Sequence, residues 1–148
     1  IAGVLAMEPE VLVLDEPTAG LDPAGRREIM NMFYQLHIDN GLTIVLVTHQ
    51  MNDVATFADH VVILEKGTVV RMGPPAEIFQ DAAWLQEKQL GLPSALAFLD
   101  TLSQKTGIDF GNERPLRTEQ LAAVLIAKIN ENKGNKNVAK EEGGIDVG

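Results

Sequence analysis

Three side chains that can do chemistry follow two short apolar segments of the chain. Asp15 and Glu16 stand side by side directly after the run VLVL, and His49 comes directly after the run TIVLVT. Two adjacent carboxylates repel each other and lose hydration when they are buried, so this pair is expected to meet a cation or to receive a proton. Hydrolytic phosphoryl transfer needs a carboxylate for Mg²⁺, a group that orients water and a donor to phosphate. The three residues are therefore candidates for such a site.

Each candidate can be given a role within that chemistry. We assign Asp15 to Mg²⁺, either directly or through water, Glu16 to the attacking water, and His49 to the γ-phosphate of ATP. Taken alone, the Asp15-Glu16 pair could also be a surface turn after a strand, and an isolated histidine is more often structural. The residues PTAGLD that follow the pair favour its functional interpretation, and the place of His49 directly after TIVLVT favours the functional interpretation of the histidine.

The elements that must position these residues form a strand, a helix and a second strand. The short apolar runs 11–14 and 43–48 predict strands buried on both faces of a parallel sheet. Asp22 followed by Pro23 predicts the start of a helix, and Gly41 predicts its end. Because ligands bind beyond the carboxyl ends of strands in open α/β sheets, neighbouring strands would bring the carboxylates and His49 together.

The rest of the chain divides into a short α/β continuation, a helical region and a tail. A short helix near residues 52–58 and a hairpin across residues 60–73 complete an α/β part that ends at about residue 80. Residues 81–130 have a helical pattern, and residues 131–148 are polar and predict a flexible tail. The adjacent Arg26 and Arg27 are predicted to lie on a solvated helix face. The opening run IAGVLAM fits the end of a helix without its start, so we interpret the chain as a C-terminal fragment.

Composition and charge exclude several classes of protein. The chain has 12 basic and 21 acidic residues, a formal net charge of −9, and no cysteine. This balance argues against a nucleic-acid partner, which would require clustered Lys and Arg, and the absence of cysteine excludes disulfides and thiolate metal sites. No apolar run approaches the roughly 20 residues that span a bilayer, so any membrane role is expected to be peripheral.

The segment VLVLDEPTAGLD, from Val11 to Asp22, resembles the Walker B motif and D-loop of ATP-binding cassette (ABC) ATPases. His49 resembles the switch histidine of that family, and residues 1–10 resemble the helix and turn after its signature motif. The resemblance implies a P-loop NTPase fold and the cofactors ATP and Mg²⁺. It also places Asp22 at the nucleotide, facing a partner subunit, in addition to its role as a helix cap.

The later stretches KQLGLPSALAFLDTLSQKTG and PLRTEQLAAVL resemble the helical extension of ATPases from energy-coupling factor transporters. This resemblance implies a second ABC ATPase subunit as partner, together with a transmembrane T component and a substrate-binding component for vitamins or metal ions. It implies a position on the cytoplasmic face of the membrane and a dimerisation role for residues 81–130. Two alternatives stay open, namely a soluble ABC ATPase of a non-transport machine and a non-catalytic dimerisation fragment.

The phosphate-binding loop of these ATPases is missing from the sequence. Its form is G-x-x-x-x-G-K-[S/T], and the nearest match, GLDPAGRR, has Arg26 and Arg27 in place of the lysine and hydroxyl residue. The chain is thus predicted to be a partial P-loop NTPase sheet that lacks its N-terminal half and carries a helical C-terminal appendage. Alone, it is expected to be inactive and to expose a sheet edge.

Overall fold

The computed structural model of the chain describes residues 2–5 and 7–141, and it contains two small sheets and seven helices within those residues. The elements occur in the order α1 (Ala2–Leu5), β1 (Val11–Asp15), α2 (Pro23–Asn40), β2 (Thr43–Val47), α3 (Met51–Phe57), β3 (Val61–Glu65), β4 (Thr68–Gly73), α4 (Pro75–Ile78), α5 (Ala82–Glu87), α6 (Ser94–Thr106) and α7 (Thr118–Glu141). The α/β class expected from the sequence is confirmed. None of the helices in this part of the chain is long and apolar enough to cross a membrane.

Strands β1 and β2 pair directly and run parallel, from Val11 opposite Thr43 to Asp15 opposite Val47. Their inward side chains meet helix α2 in a first core cluster, whose buried members are Leu12, Leu14, Met30, Phe33 and Leu42. Burial of such side chains contributes about 25 cal/mol for each Å² of apolar surface removed from water. This cluster therefore holds the two strands, and the residues at their ends, against one helix.

The prediction that these strands are buried on both faces is wrong for the described structure. Leu12 and Leu14 are 5% and 7% exposed, whereas Val13 between them is 65% exposed. On β2, Val45 and Val47 are also exposed. Successive side chains of a strand point to opposite faces, and helix α2 covers only one of them. The other face of the β1–β2 pair is an exposed apolar surface in the described part of the chain.

Helix α2 has the boundaries that its sequence predicts. The side chain of Asp22 accepts a hydrogen bond from Gly25 N at 2.9 Å, and Pro23 occupies the first turn. Asp22 therefore satisfies one of the backbone donors that are free at a helix start. At the other end, Gly41 has a left-handed φ of 66° and its N–H bonds to His37 O. Only glycine adopts this conformation at low cost.

The second sheet is the antiparallel hairpin β3–β4, with a turn at Lys66-Gly67 where both φ values are positive. One face of the hairpin packs on a second core cluster, whose buried members are Ala55, Ile78, Phe79, Leu85 and Leu96. These residues come from helices α3 to α6. The predicted hairpin is confirmed, and its core is shared with the helical region that follows it.

Polar contacts attach the helical region to α3, the helix that follows His49. Asn52 accepts from Ser94 N at 2.8 Å through its carbonyl oxygen, and its amide donates to Ser94 Oγ at 2.9 Å. From the start of α7, Arg117 Nη2 donates to Thr56 O at 2.8 Å. The arginine satisfies a free carbonyl in the last turn of α3. The helical region thus contacts the α/β part at both ends of α3.

Helix α7 is longer than the sequence analysis predicted. It runs from Thr118 to Glu141, although residues 131–148 were expected to form a flexible tail. Residues 131–141 contain no proline, so the helix can continue without a steric break, although Gly134 and three asparagines are poor helix formers. Residues 142–148 of the predicted tail lie outside the described residues.

Candidate active site

The parallel pairing of β1 and β2 brings the predicted site residues to one edge of the sheet. Asp15 is the last residue of β1 and lies opposite Val47, the last residue of β2. Glu16 therefore leaves its strand next to the point where His49 leaves the other. The expectation that neighbouring strands place the carboxylates beside the histidine is confirmed for Glu16.

The backbone of Glu16 has an uncommon conformation. Its φ is 43°, in the left-handed region that few non-glycine residues occupy, and its N–H donates to Val47 O at 2.9 Å. The ladder between the strands is thus extended by one bond while the chain turns sharply after it. Such backbone strain is frequent at functional sites, and here it occurs at the proposed water-orienting residue.

Glu16 and His49 are in direct contact. The oxygen Oε1 of Glu16 lies 2.6 Å from His49 Nδ1 and accepts from the His49 backbone N–H at 3.0 Å. The side-chain hydrogen bond with His49 is the main cause that lowers the pKa of Glu16 below its usual value, and partial burial opposes it. A lowered pKa favours the carboxylate form, which can accept a hydrogen bond from water.

Asp15 has an exposed side chain at the same edge. In the described residues, no group of three or more His, Cys, Asp or Glu side chains could hold a metal ion by itself. The carboxylate of Asp15 fits Mg²⁺, which is usually held by one or two carboxylates while substrate phosphates and water complete the octahedron. Asp15 could supply that carboxylate.

Among the residues that the structure describes, the hydrogen bonds of Asp22 do not involve Glu16 or His49. Its carboxylate is bonded to Gly25 N. The cap predicted for Asp22 is confirmed. Its contact with nucleotide stays a prediction.

A polar network that was not predicted from the sequence joins Arg26 to Thr18, Gln50 and Asp53. Arg26 Nε donates to Thr18 Oγ1 at 3.3 Å, and its Nη1 donates to Gln50 Oε1 at 3.1 Å. The same Nε lies 3.6 Å from Oδ2 of the buried Asp53. The prediction of a solvated helix face is therefore wrong for Arg26, whereas Arg27 is exposed. No sequence pattern indicated the network, because its members come from α2, the loop before α2 and the start of α3.

The buried carboxylate of Asp53 gives a pH-dependent prediction. Burial is the main cause that raises its pKa above the ordinary value of 3.8; the Arg26 guanidinium opposes this and the Glu16 charge adds to it. An acid with a raised folded-state pKa loses stability as pH rises from its unfolded pKa through its folded pKa, because ionisation then costs more in the folded chain. Asp53→Asn cannot ionise at this position, so this loss of stability with rising pH is absent in the variant. The free energy of unfolding of the variant, relative to wild type, should therefore rise between about pH 4 and pH 7.

Urea unfolding at several pH values measures this difference. The same amide change at the exposed Asp39 on α2 is the matched control. A relative stability of Asp53→Asn that falls as pH rises would contradict the raised pKa. Such a result would mean that the ion pair with Arg26 outweighs burial.

Comparisons with known proteins found similar sequences and a similar structure. The family described as "AAA domain, putative AbiEii toxin, Type IV TA system" matches residues 2–53. The "Energy-coupling factor transporter ATP-binding protein EcfA2" of Enterococcus faecalis is 60% identical over 131 residues, which are 88% of this chain and 45% of that protein. The protein of the same name from Lactiplantibacillus plantarum is 54% identical over 142 residues, covering 96% of this chain and 48% of that protein.

A solved structure is also similar. It is described as "Structure of cbiO1 from Clostridium perfringens: Part of the ABC transporter complex cbiONQ", and it matches with a TM-score of 0.52 and 40% identity over 67% of this chain and 39% of that one. The fold is similar to part of an ABC ATPase, and the chain belongs to that family. Within the family, its similarity is to the ATP-binding subunits of energy-coupling factor transporters. The chain spans about half the length of the curated relatives it matches.

Proposed function

We propose that the chain is part of the ATP-hydrolysing subunit of an energy-coupling factor transporter that imports vitamins or metal ions. The observation that carries the proposal is the 2.6 Å contact between Glu16 and His49 at the carboxyl ends of two paired strands. It occurs in a chain that is 60% identical to a subunit of such a transporter. Residues of these types at this place support hydrolysis of a nucleoside triphosphate.

The proposed mechanism gives each of the four candidate residues a part. Asp15 would hold Mg²⁺, which when bound offsets charge on the phosphates. Glu16, kept ionised by its hydrogen bonds, accepts a hydrogen bond from the attacking water and orients it in line with the γ-phosphate. His49 holds Glu16 in place and contacts the γ-phosphate. Asp22 caps α2 and contacts the nucleotide across a subunit interface.

The partners follow from the same proposal. The complete protein pairs with a second ABC ATPase subunit, as a homodimer or a heterodimer, and sits on a transmembrane T component beside a substrate-binding component. It is peripheral, on the cytoplasmic face of the membrane. Residues 1–80 form part of the nucleotide-binding domain, and residues 81–130 contribute to dimerisation. The contacts of Asn52 and Arg117 support a mechanical link between these two regions.

A further part of the proposal is that the 148 residues alone are inactive. The sequence has no P-loop, so the site described here has a water-orienting group but no backbone cradle for the phosphates. The exposed apolar face of the β1–β2 pair supports the same view, since a buried parallel sheet is normally covered on both faces.

Binding of a fluorescently labelled ATP analogue tests the proposal. The probe is titrated in the presence of Mg²⁺ against the chain alone and against a completed chain. The completed chain joins these 148 residues to the part of the E. faecalis relative that they do not match. We expect no saturable binding by the chain alone, and both binding and ATP hydrolysis by the completed chain.

One control and two contrary outcomes define the result. The added part alone should bind the analogue without hydrolysing ATP, because it lacks Glu16 and His49. Tight binding by the 148-residue chain would show that these residues hold nucleotide without a P-loop. A folded completed chain that neither binds nor hydrolyses ATP would contradict the proposed function.

A further inference from the structure

The side chain of Gln50 connects His49 to Arg26. Its Oε1 accepts from Arg26 Nη1 at 3.1 Å, and its Nε2 lies 3.1 Å from His49 Nε2. The backbone N–H of Gln50 donates to Thr48 Oγ1 at 3.1 Å, which fixes the position of the residue at the start of α3. Gln50 thus has one partner at each end of its amide.

Arg26 determines which end of the amide faces the histidine. A guanidinium has five donors and no acceptor, so only the carbonyl oxygen of Gln50 can bond to it. The amide nitrogen must then face His49, and an amide nitrogen can only donate. Arg26 is itself held by Thr18 and Asp53, at 3.3 Å and 3.6 Å from Nε.

The orientation of the amide sets the protonation of the imidazole ring. A nitrogen that accepts from Gln50 carries no proton, so in neutral His49 the proton belongs on Nδ1. That nitrogen lies 2.6 Å from Glu16 Oε1 and can donate to it. We infer that Arg26, acting through Gln50, is a positioning residue that fixes His49 as the tautomer with a proton on Nδ1 and none on Nε2.

The tautomer has a consequence for the proposed γ-phosphate contact, and this consequence rests on the proposed function. With Nδ1–H committed to Glu16, the neutral ring has no second donor for a phosphate oxygen. Gln50 must therefore leave Nε2, and Nε2 must take a proton from solvent, to which the His49 side chain is 77% exposed, before His49 donates from that nitrogen to the γ-phosphate. In the arrangement described here, the ring of neutral His49 offers no donor to a phosphate oxygen.

Long-range proton–nitrogen NMR correlation spectra of the ¹⁵N-labelled 148-residue chain test the tautomer directly, because they distinguish protonated from bare ring nitrogens. The spectra are recorded at about pH 8, above the ordinary titration range of histidine. The chain has three histidines, and His49 is identified by the signals lost in His49→Gln. We expect wild-type His49 to show a protonated Nδ1 and a bare Nε2.

Two variants test the roles of Gln50 and Arg26. Gln50→Glu keeps the shape of the side chain and its bond to Arg26 but cannot donate, so Nε2 of His49 should become protonated. Arg26→Leu frees the amide to turn over and place its carbonyl oxygen at Nε2, so part of the His49 population should carry a proton on that nitrogen. Arg27→Leu, the same change at the exposed neighbour, should leave the ring as in wild type.

The outcomes separate this inference from the proposed function. A protonated Nε2 in wild type, a bare Nε2 in Gln50→Glu, or an equal effect of Arg26→Leu and Arg27→Leu would overturn it. If Arg26→Leu fails to fold, Gln50→Glu tests the inference alone, because the side chain of Gln50 is partly exposed and its replacement disturbs the fold less. The backbone amide spectrum of Gln50→Glu shows whether that variant is folded. ATP is absent throughout, so the tautomer stands even if the completed chain proves unable to hydrolyse ATP.

Discussion

Replacing Glu16 by glutamine in the completed chain is expected to lower ATP turnover by more than about tenfold while ATP binding is retained. The amide keeps the size of the side chain but removes the charge that orients and receives a proton from the attacking water. Asp15, the proposed Mg²⁺ ligand, is unchanged, so the nucleotide should still bind. The dimer should then stay closed around ATP. Steady-state turnover and binding of the labelled analogue measure the two effects separately.

Glu28→Gln is the matched control for this prediction, because Glu28 is an exposed carboxylate on α2 away from the pair. Its turnover should equal that of wild type. If Glu16→Gln kept more than about a tenth of the wild-type rate, Glu16 would not be the water-orienting group. Equal losses of binding and turnover would instead indicate that Glu16 contributes mainly to holding the nucleotide.

Replacing Phe33 by alanine is expected to reduce the free energy of unfolding of the 148-residue chain by about 3–5 kcal/mol. Phe33 is 2% exposed and lies in the first core cluster, between α2 and the two parallel strands. Its removal loses the transfer free energy of the ring and leaves a cavity beneath the strands that carry Glu16 and His49. Domains are commonly stable by only about 5–15 kcal/mol, so the loss is a large fraction of the total.

Urea unfolding followed by circular dichroism measures the change, and Met32→Ala is its control. Met32 is the preceding residue on the same helix and is 37% exposed, so its truncation should cost less than Phe33→Ala. Similar losses for the two variants would mean that α2 does not pack on the strands through Phe33. The contact between Glu16 and His49 would then need support from elsewhere in the fold.

The sequence by itself determined the local elements and the candidate site residues. The runs before Asp15 and His49 are short, apolar and rich in β-branched residues, which favours strands. Asp22, Pro23 and Gly41 fixed the limits of α2, because capping depends on the residue type at one position and its immediate neighbours. The requirements of phosphoryl transfer then gave Asp15, Glu16 and His49 their proposed roles, and the resemblance of residues 11–22 to a Walker B motif and D-loop placed Asp22 at the nucleotide.

Properties that depend on contacts between distant segments were decided only by the tertiary structure. The prediction of two buried strand faces was wrong because burial depends on what packs on each face, and α2 covers only one. Helix α7 continued past residue 130 because its polar residues do not prevent helix formation. The pairing of Arg26 with Gln50 and Asp53 joins α2 to α3, and neither residue type predicts a partner so far away in sequence. Charge and hydrogen-bonding capacity can be read from each residue, but which groups satisfy them depends on how the chain folds.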